Sequence, residues 1–128
     1  MAVQLDHLTI YVSDWAAYEG HYGTLLPLAG FQRIDDKIWT DGAGFFLQFG
    51  QAHAETKPYE RYGAGLNHWG VKMPSVAAVE ALRDALIGAG LDIQPLQHLG
   101  GATALFIPDP DGLRAEFTYT PPGMNPVG

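Results

Sequence analysis

The sequence predicts an α+β domain built from two βαβββ modules. Two strand-like runs with the same pattern support this prediction: a Leu-Asp pair precedes His7, and a Leu-Asn pair precedes His68, about half the chain later. In each run apolar and polar residues alternate after the histidine, and a helix-start signal follows. A half-domain pattern that occurs twice indicates a duplicated fold.

The composition restricts the classes of function. A chain of 128 residues with 47% hydrophobic residues is long enough for one domain with a sizeable core. The absence of cysteine excludes disulfides and thiolate metal ligands. A net charge of −7 with only seven Lys and Arg residues argues against nucleic acid or an anionic membrane as a partner. No apolar run is long enough to span a membrane and no signal peptide is visible, so we expect a cytoplasmic protein.

The first module is predicted to begin with a strand at residues 4–12. Its alternation puts His7, Thr9 and Tyr11 on one face and Leu8, Ile10 and Val12 on the other. Asp14 is a suitable N-cap for a following helix, which Pro27 and Gly30 are expected to end. Three short runs then predict strands at about 31–35, 37–41 and 44–50.

The second module repeats this order. A strand at 65–73 precedes a helix that starts at Pro74-Ser75 and ends at Gly88 and Gly90. Further strands are predicted near 91–95, 102–107 and 113–120. The modules therefore span about 3–50 and 65–120 of a single domain at 1–120, joined by a linker loop at about 51–64. The Pro/Gly-rich residues 121–128 predict a flexible tail.

Strand parity places one histidine and one oxygen-bearing residue of each module on the face away from the helix. These residues are His7 and Gln48 in the first module and His68 and Glu116 in the second. Two imidazoles, a carboxylate and a weaker amide oxygen suit one divalent ion such as Zn, Mn, Fe, Co or Ni. Each histidine could instead be an ordinary strand residue, but the matched positions favour a metal site. Three other histidines have no such match and are expected at the surface: His21, His53 and His98.

Three motifs carry a family resemblance: Asp6-His7-Leu8-Thr9, Leu66-Asn67-His68, and the Asp109-Pro110-Asp111-Gly112 turn that leads to Glu116. With them the chain resembles the vicinal oxygen chelate superfamily, which includes glyoxalase I, bleomycin-resistance proteins, methylmalonyl-CoA epimerase and extradiol dioxygenases. The resemblance implies curved mixed sheets that form a metal-containing cavity. It also implies that His7, His68 and Glu116 are metal ligands and that Gln48 is at the fourth position, a set similar to that of the epimerase.

The resemblance further implies a glyoxalase- or epimerase-like lyase or isomerase that acts on a small oxygenated metabolite through metal chelation and enolate stabilisation. Glu116 is then the candidate base, if it leaves the metal when substrate binds. Two alternatives stay open: an Fe(II) ring-cleaving-type dioxygenase with the same ligands, and a non-catalytic bleomycin-resistance-like binding protein. Small family members commonly combine modules from two chains, so we expect a homodimer with metal sites shared between chains. The candidate substrate-binding residues are Thr9, Tyr11, Trp39, Phe46, Lys72, Arg114 and Thr118.

Overall fold

The order of elements along the chain is βαβββ, twice, as the sequence predicts. The computed structural model describes residues 1–127, and these divide into two units, Met1–Lys57 and the chain from Pro58 onward. Gly128, the end of the predicted tail, lies outside the described residues. Each unit contains one helix and one four-stranded mixed sheet, which confirms the predicted α+β class.

The first module consists of β1 (His7–Val12), α1 (Trp15–Ala29), β2 (Gln32–Asp35), β3 (Ile38–Thr40) and β4 (Phe46–Gln51). Its sheet has the order β1-β4-β3-β2, with β1 parallel to β4 and the other pairs antiparallel. Asp14 caps α1, because its Oδ1 accepts a hydrogen bond of 2.8 Å from the backbone N–H of Ala16. The prediction that Pro27 helps to end α1 is wrong: the helix continues past Pro27, and Gly30, with φ +103°, ends it.

The core of the first module lies between α1 and one face of the sheet. The rings of Tyr18 and Tyr22 pack 4.7 and 4.6 Å from the ring of Phe49. Trp39 is only 2% exposed, and its Nε1 donates a hydrogen bond of 3.0 Å to the Tyr18 hydroxyl. The prediction that Trp39 lines the site is therefore wrong, because the register pairs it with Leu47 on the helix-covered face.

His21 on α1 corrects a third prediction. Its Nε2 is buried and has no hydrogen-bond partner among residues 1–127, whereas the sequence suggested a surface position. The ring packs edge-on against Tyr22 at 4.8 Å. Burial of the ring lowers its pKa to about 4, since the charged form loses its hydration.

The second module consists of β5 (His68–Lys72), α2 (Val76–Gly88), β6 (Gln97–Leu99), β7 (Ala102–Pro108) and β8 (Arg114–Tyr119). Its sheet order, β5-β8-β7-β6, repeats that of the first module, with β5 parallel to β8. The strand predicted at 91–95 is not formed, and β6 begins at Gln97 instead. The carbonyl of Gln94 accepts a hydrogen bond of 3.0 Å from Arg83 Nε on α2, so a side chain and not a strand satisfies it.

Strand parity is confirmed in both modules. Ile10 and Val12 are buried while His7 is exposed, and Ala115 and Phe117 are buried while Glu116 is on the other face. The open face of each sheet therefore carries the predicted donor residues. In the part of the chain that the structure describes, neither helix has the length and apolar character that a membrane span requires.

Candidate metal centre

The sheet register places the two donor pairs at equivalent positions. In β4, Gln48 follows the partner of His7 by two residues, and in β8, Glu116 follows the partner of His68 by two residues. Each pair therefore lies diagonally across two parallel strands and on one face, close enough for long side chains to meet. Each module thus carries one imidazole and one oxygen donor in the same arrangement.

Asn67 determines which nitrogen of His68 carries the proton. The Asn67 side-chain amide donates a hydrogen bond of 2.8 Å to the carbonyl of Arg61, which fixes its Oδ1 as the atom 2.7 Å from His68 Nδ1. Because Oδ1 can only accept, Nδ1 must donate. In the neutral ring, Nε2 is then the unprotonated nitrogen with a free lone pair.

That lone pair points at a carboxylate. His68 Nε2 lies 3.1 Å from Glu116 Oε1, and the Glu116 side chain is only 14% exposed. Two acceptor atoms at this distance require a cation between them, either a proton on the ring or a metal ion. Two ligands bound about 2.0–2.2 Å from one zinc ion at roughly tetrahedral or right angles are about 3.0–3.5 Å apart. The pair therefore fits two ligands of one divalent ion.

The hydroxyl of Thr118 holds the second oxygen of Glu116. It donates a short hydrogen bond to Glu116 Oε2, which leaves Oε1 facing His68. Thr118 was predicted to bind substrate, but in the structure it contacts Glu116 and orients it. Phe106 completes the arrangement, with its ring edge-on to the His68 ring at 6.0 Å.

The donor pair of the first module is more open. Asp6 Oδ2 lies 2.6 Å from His7 Nδ1, and the His7 side chain is 57% exposed. A carboxylate at Nδ1 favours a proton there and leaves Nε2 as the ligand atom, as in many metal-binding histidines. Thr9 donates a hydrogen bond of 3.3 Å to the side-chain oxygen of Gln48. Among residues 1–127 no group of three or more His, Asp or Glu side chains is close enough to hold one metal ion.

The remaining predicted site residues lie on the open faces of their own modules. Tyr11 is 61% exposed, and its ring covers Gly50 so closely that a Cβ there would lie 2.5 Å from the ring. Phe46 is half-buried beside His7 in the register, and Lys72 is exposed at the end of β5.

Arg114 and Arg61 form a basic group that the sequence revealed only in part. The Arg114 guanidinium lies 4.0 Å from the centre of the Phe106 ring, and Arg114 pairs with His68 in the register. Burial lowers the pKa of Arg114, and the positive charge of Arg61 lowers it further. Arg61 Nε is buried without a hydrogen-bond partner among the described residues. The sequence does not mark Arg61 as a site residue, because it lies in an irregular loop without the alternation of a strand.

Tyr59 anchors that loop to the start of β5. Its hydroxyl donates hydrogen bonds of 2.8 and 3.0 Å to the carbonyls of Leu66 and Asn67. The loop thus reaches His68 through Asn67, whose side chain contacts both Arg61 and the imidazole. This explains how a residue outside the predicted strands comes to be near the donor pair.

A cavity of about 560 Å³ adjoins the donor pair of the second module. One wall is the open face of β5 and β8, with His68, Lys72, Glu116 and Thr118. The rest of the lining comes from residues 120–124, 126 and 127, which the sequence placed mainly in a flexible tail. The volume lies within the usual range for a small-molecule site.

Several solved structures share this architecture. A protein from Bacillus halodurans that is proposed to be a glyoxalase matches with a TM-score of 0.75 and 22% identity over 91% of this chain and 95% of its own. A glyoxylase/bleomycin resistance protein/dioxygenase domain from Frankia sp. EAN1pec matches with a TM-score of 0.69 and 19% identity over 97% of this chain and 96% of its own. Lactoylglutathione lyase from Agrobacterium tumefaciens matches with a TM-score of 0.65 and 16% identity over 93% of this chain and 95% of its own.

The chain has the vicinal oxygen chelate fold. No protein-family model matches the sequence, and no curated protein is significantly similar to it. At these low identities the structural likeness establishes the fold and not the reaction. The fold expected from the sequence motifs is thereby confirmed.

Proposed function

We propose that this protein of the vicinal oxygen chelate fold is a divalent-metal-dependent lyase or isomerase that acts on a small oxygenated metabolite. The observation that carries the proposal is the 3.1 Å separation between His68 Nε2 and Glu116 Oε1, with the ring proton held on the opposite nitrogen by Asn67. A matched histidine and oxygen donor in the first module support it.

The metal ion would be held by His7, Gln48, His68 and Glu116. Imidazole nitrogen and carboxylate oxygen are strong ligands for divalent ions, and the amide oxygen of Gln48 is a weaker one. When bound, the ion would polarise the oxygens of a chelated substrate and stabilise the negative charge of an enolate.

The protein's own residues would move the proton. Glu116 is the candidate base, provided that it leaves the metal when substrate binds, since its carboxylate is oriented by Thr118 and lines the cavity. Gln48 has no titratable group and cannot share this role. Lys72, exposed on the cavity wall, would attract an anionic substrate group.

The proposal includes a homodimer in which each metal site combines the first module of one chain with the second module of its partner. Each module offers only two of the four donors, and the strands that carry His7 and His68, β1 and β5, each lie at one end of their sheet. A strand at a sheet end has one unpaired edge that a second copy can cover. We further propose a cytoplasmic location.

The second candidate function is an Fe(II) dioxygenase. Two histidines and one carboxylate with open positions are also the ligand set of non-haem iron oxygenases. The Frankia neighbour bears the name of a dioxygenase among others, and the Agrobacterium neighbour that of a lyase.

Metal analysis tests the proposal. The purified wild-type protein should contain close to one divalent ion per chain. His7→Ala, His68→Ala and Glu116→Ala should each lose most of it, while Gln48→Ala should retain much more because it removes the weakest ligand. Equal retention in all four variants would refute the site. Oxygen uptake on catechols with bound iron would favour the dioxygenase, and a wild-type protein that binds no metal would favour a non-catalytic binding protein.

A further inference from the structure

The cavity in the second module has two chemically different walls. The β5 and β8 side presents an imidazole, a carboxylate and an ammonium group, from His68, Glu116 and Lys72. The other wall is formed by the segment 120–127, and the side chains that it contributes are almost all apolar: Pro121, Pro122, Met124, Pro126 and Val127. A ligand that satisfies both walls must itself have a polar end and an apolar end.

The apolar wall has a defined structure. The backbone N–H of Met124 donates a hydrogen bond of 3.2 Å to the carbonyl of Pro121, which closes a turn that includes Gly123 at φ +84°. Met124 also packs over Gly101, where an added Cβ would lie 3.2 Å from its Sδ. The segment is therefore attached to the turn between β6 and β7, and three prolines restrict its backbone further.

This wall leaves apolar side chains exposed to the cavity. Met124 is 40% exposed and Val127 is 72% exposed. Covering such side chains with an apolar group is favourable at about 25 cal/mol per Å² removed from water. Methionine also adapts its shape to different apolar groups, which suits it to a ligand-binding wall.

We infer that residues 120–127 determine substrate class, and that the protein takes compounds with two adjacent oxygens at one end and an aryl or branched alkyl group at the other. The oxygens face His68 and Glu116, and the apolar group lies against Met124 and its neighbours. This inference rests on the proposed function, because the oxygen end is the part that a metal ion would hold.

Two hydroxamates that differ only at the apolar end provide the test. Acetohydroxamate and benzohydroxamate present the same pair of oxygens, but only the second carries an aryl group. We expect the full-length, zinc-loaded protein to bind benzohydroxamate about tenfold more tightly, as judged by calorimetry. Met124→Ala should reduce this ratio severalfold, Met124→Leu should restore it, and removal of residues 121–128 should nearly abolish it.

Val76→Ala is the matched control, because Val76 is 39% exposed, like Met124, but does not line the cavity. It should leave the ratio unchanged. An unchanged ratio in Met124→Ala and in the shortened chain would overturn the inference, as would failure of the full-length protein to bind either compound.

Repeating the titrations without metal separates this inference from the proposed function. If the protein takes up no metal and still shows the aryl preference, the metal-dependent function fails and the role of the segment stands. If metal binds normally and no aryl preference exists, the segment has no such role and the metal site stands.

Discussion

Glu116 uses its two carboxylate oxygens differently. Oε2 accepts the hydrogen bond from Thr118, and Oε1 faces the lone pair of His68. This arrangement separates two roles that are usually hard to distinguish, the orientation of a carboxylate and its basicity. Substitutions at the two residues should therefore have different effects.

We expect Glu116→Gln to lose proton transfer even with excess metal, because an amide keeps a ligand oxygen but cannot accept the proton. Thr118→Val should keep the metal and lose about tenfold in rate, because the base is intact but less well oriented. Solvent deuterium exchange into hydroxyacetone, followed by NMR, measures both. Normal exchange in Glu116→Gln would exclude Glu116 as the base.

The buried ring of His21 leads to a prediction about how the stability of the protein depends on pH. Its pKa is lowered by burial to about 4 in the folded protein, against about 6.5 in the unfolded chain. Between these values the unfolded chain binds more protons, so stability falls as pH decreases from about 6.5 to 4. At higher pH both states are neutral and His21 contributes no pH dependence.

Replacing His21 with Leu should remove this dependence. On lowering the pH from 7 to 4, the wild-type protein should lose about 2 to 3 kcal/mol more free energy of unfolding than His21→Leu. Urea unfolding at several pH values gives both curves. Parallel curves would show that the ring is not buried in its neutral form.

At the level of elements, one glycine inside α1 and one just after it test why the helix ends where it does. Gly20 lies inside the helix and Gly30 follows it at φ +103°, and neither has a neighbour within 4 Å of an added Cβ. Because neither position is crowded, only the backbone conformation distinguishes the effect of an added Cβ at Gly20 from its effect at Gly30. Gly20→Ala should stabilise the protein by about 0.5–1 kcal/mol, and Gly30→Ala should destabilise it by about 1 kcal/mol. Thermal unfolding of both variants checks this, and shifts of the same sign would contradict it.

The strands also show which structural features can be predicted from the sequence and which cannot. Alternation correctly predicted the faces of β1, β4, β5 and β8, because one side of each sheet must be buried. Trp39 was misplaced because a strand of three residues has too few positions to fix its phase. Strand β6 was misplaced because it has no buried residue, so no hydrophobic pattern marks it.

The donor residues could be predicted from the sequence, whereas the residues around them could not. His68 and Glu116 could be found because the module pattern occurs twice, and matched positions stand out. Arg61 and Met124 could not, since both lie in irregular segments whose position depends on single contacts, with Asn67 and with Gly101. Local sequence does not encode such contacts.

At the scale of the whole molecule, the central claim is that each metal site joins a His7–Gln48 half to a His68–Glu116 half from another chain. Two substitutions, each in its own chain, can then affect different halves of the site or the same half. His7→Ala and Glu116→Ala fall in different halves, and His68→Ala and Glu116→Ala fall in the same half. Each variant alone should bind little metal.

Refolding an equal mixture of His7→Ala and Glu116→Ala chains and counting bound metal tests this claim most directly. Random pairing makes about half of the dimers mixed, and each mixed dimer has one intact site, so about a quarter of all sites should regain metal. The mixture of His68→Ala and Glu116→Ala is the control and should regain none, since every second module carries a lesion. Recovery in the first mixture no greater than in the unmixed variants would contradict the shared site.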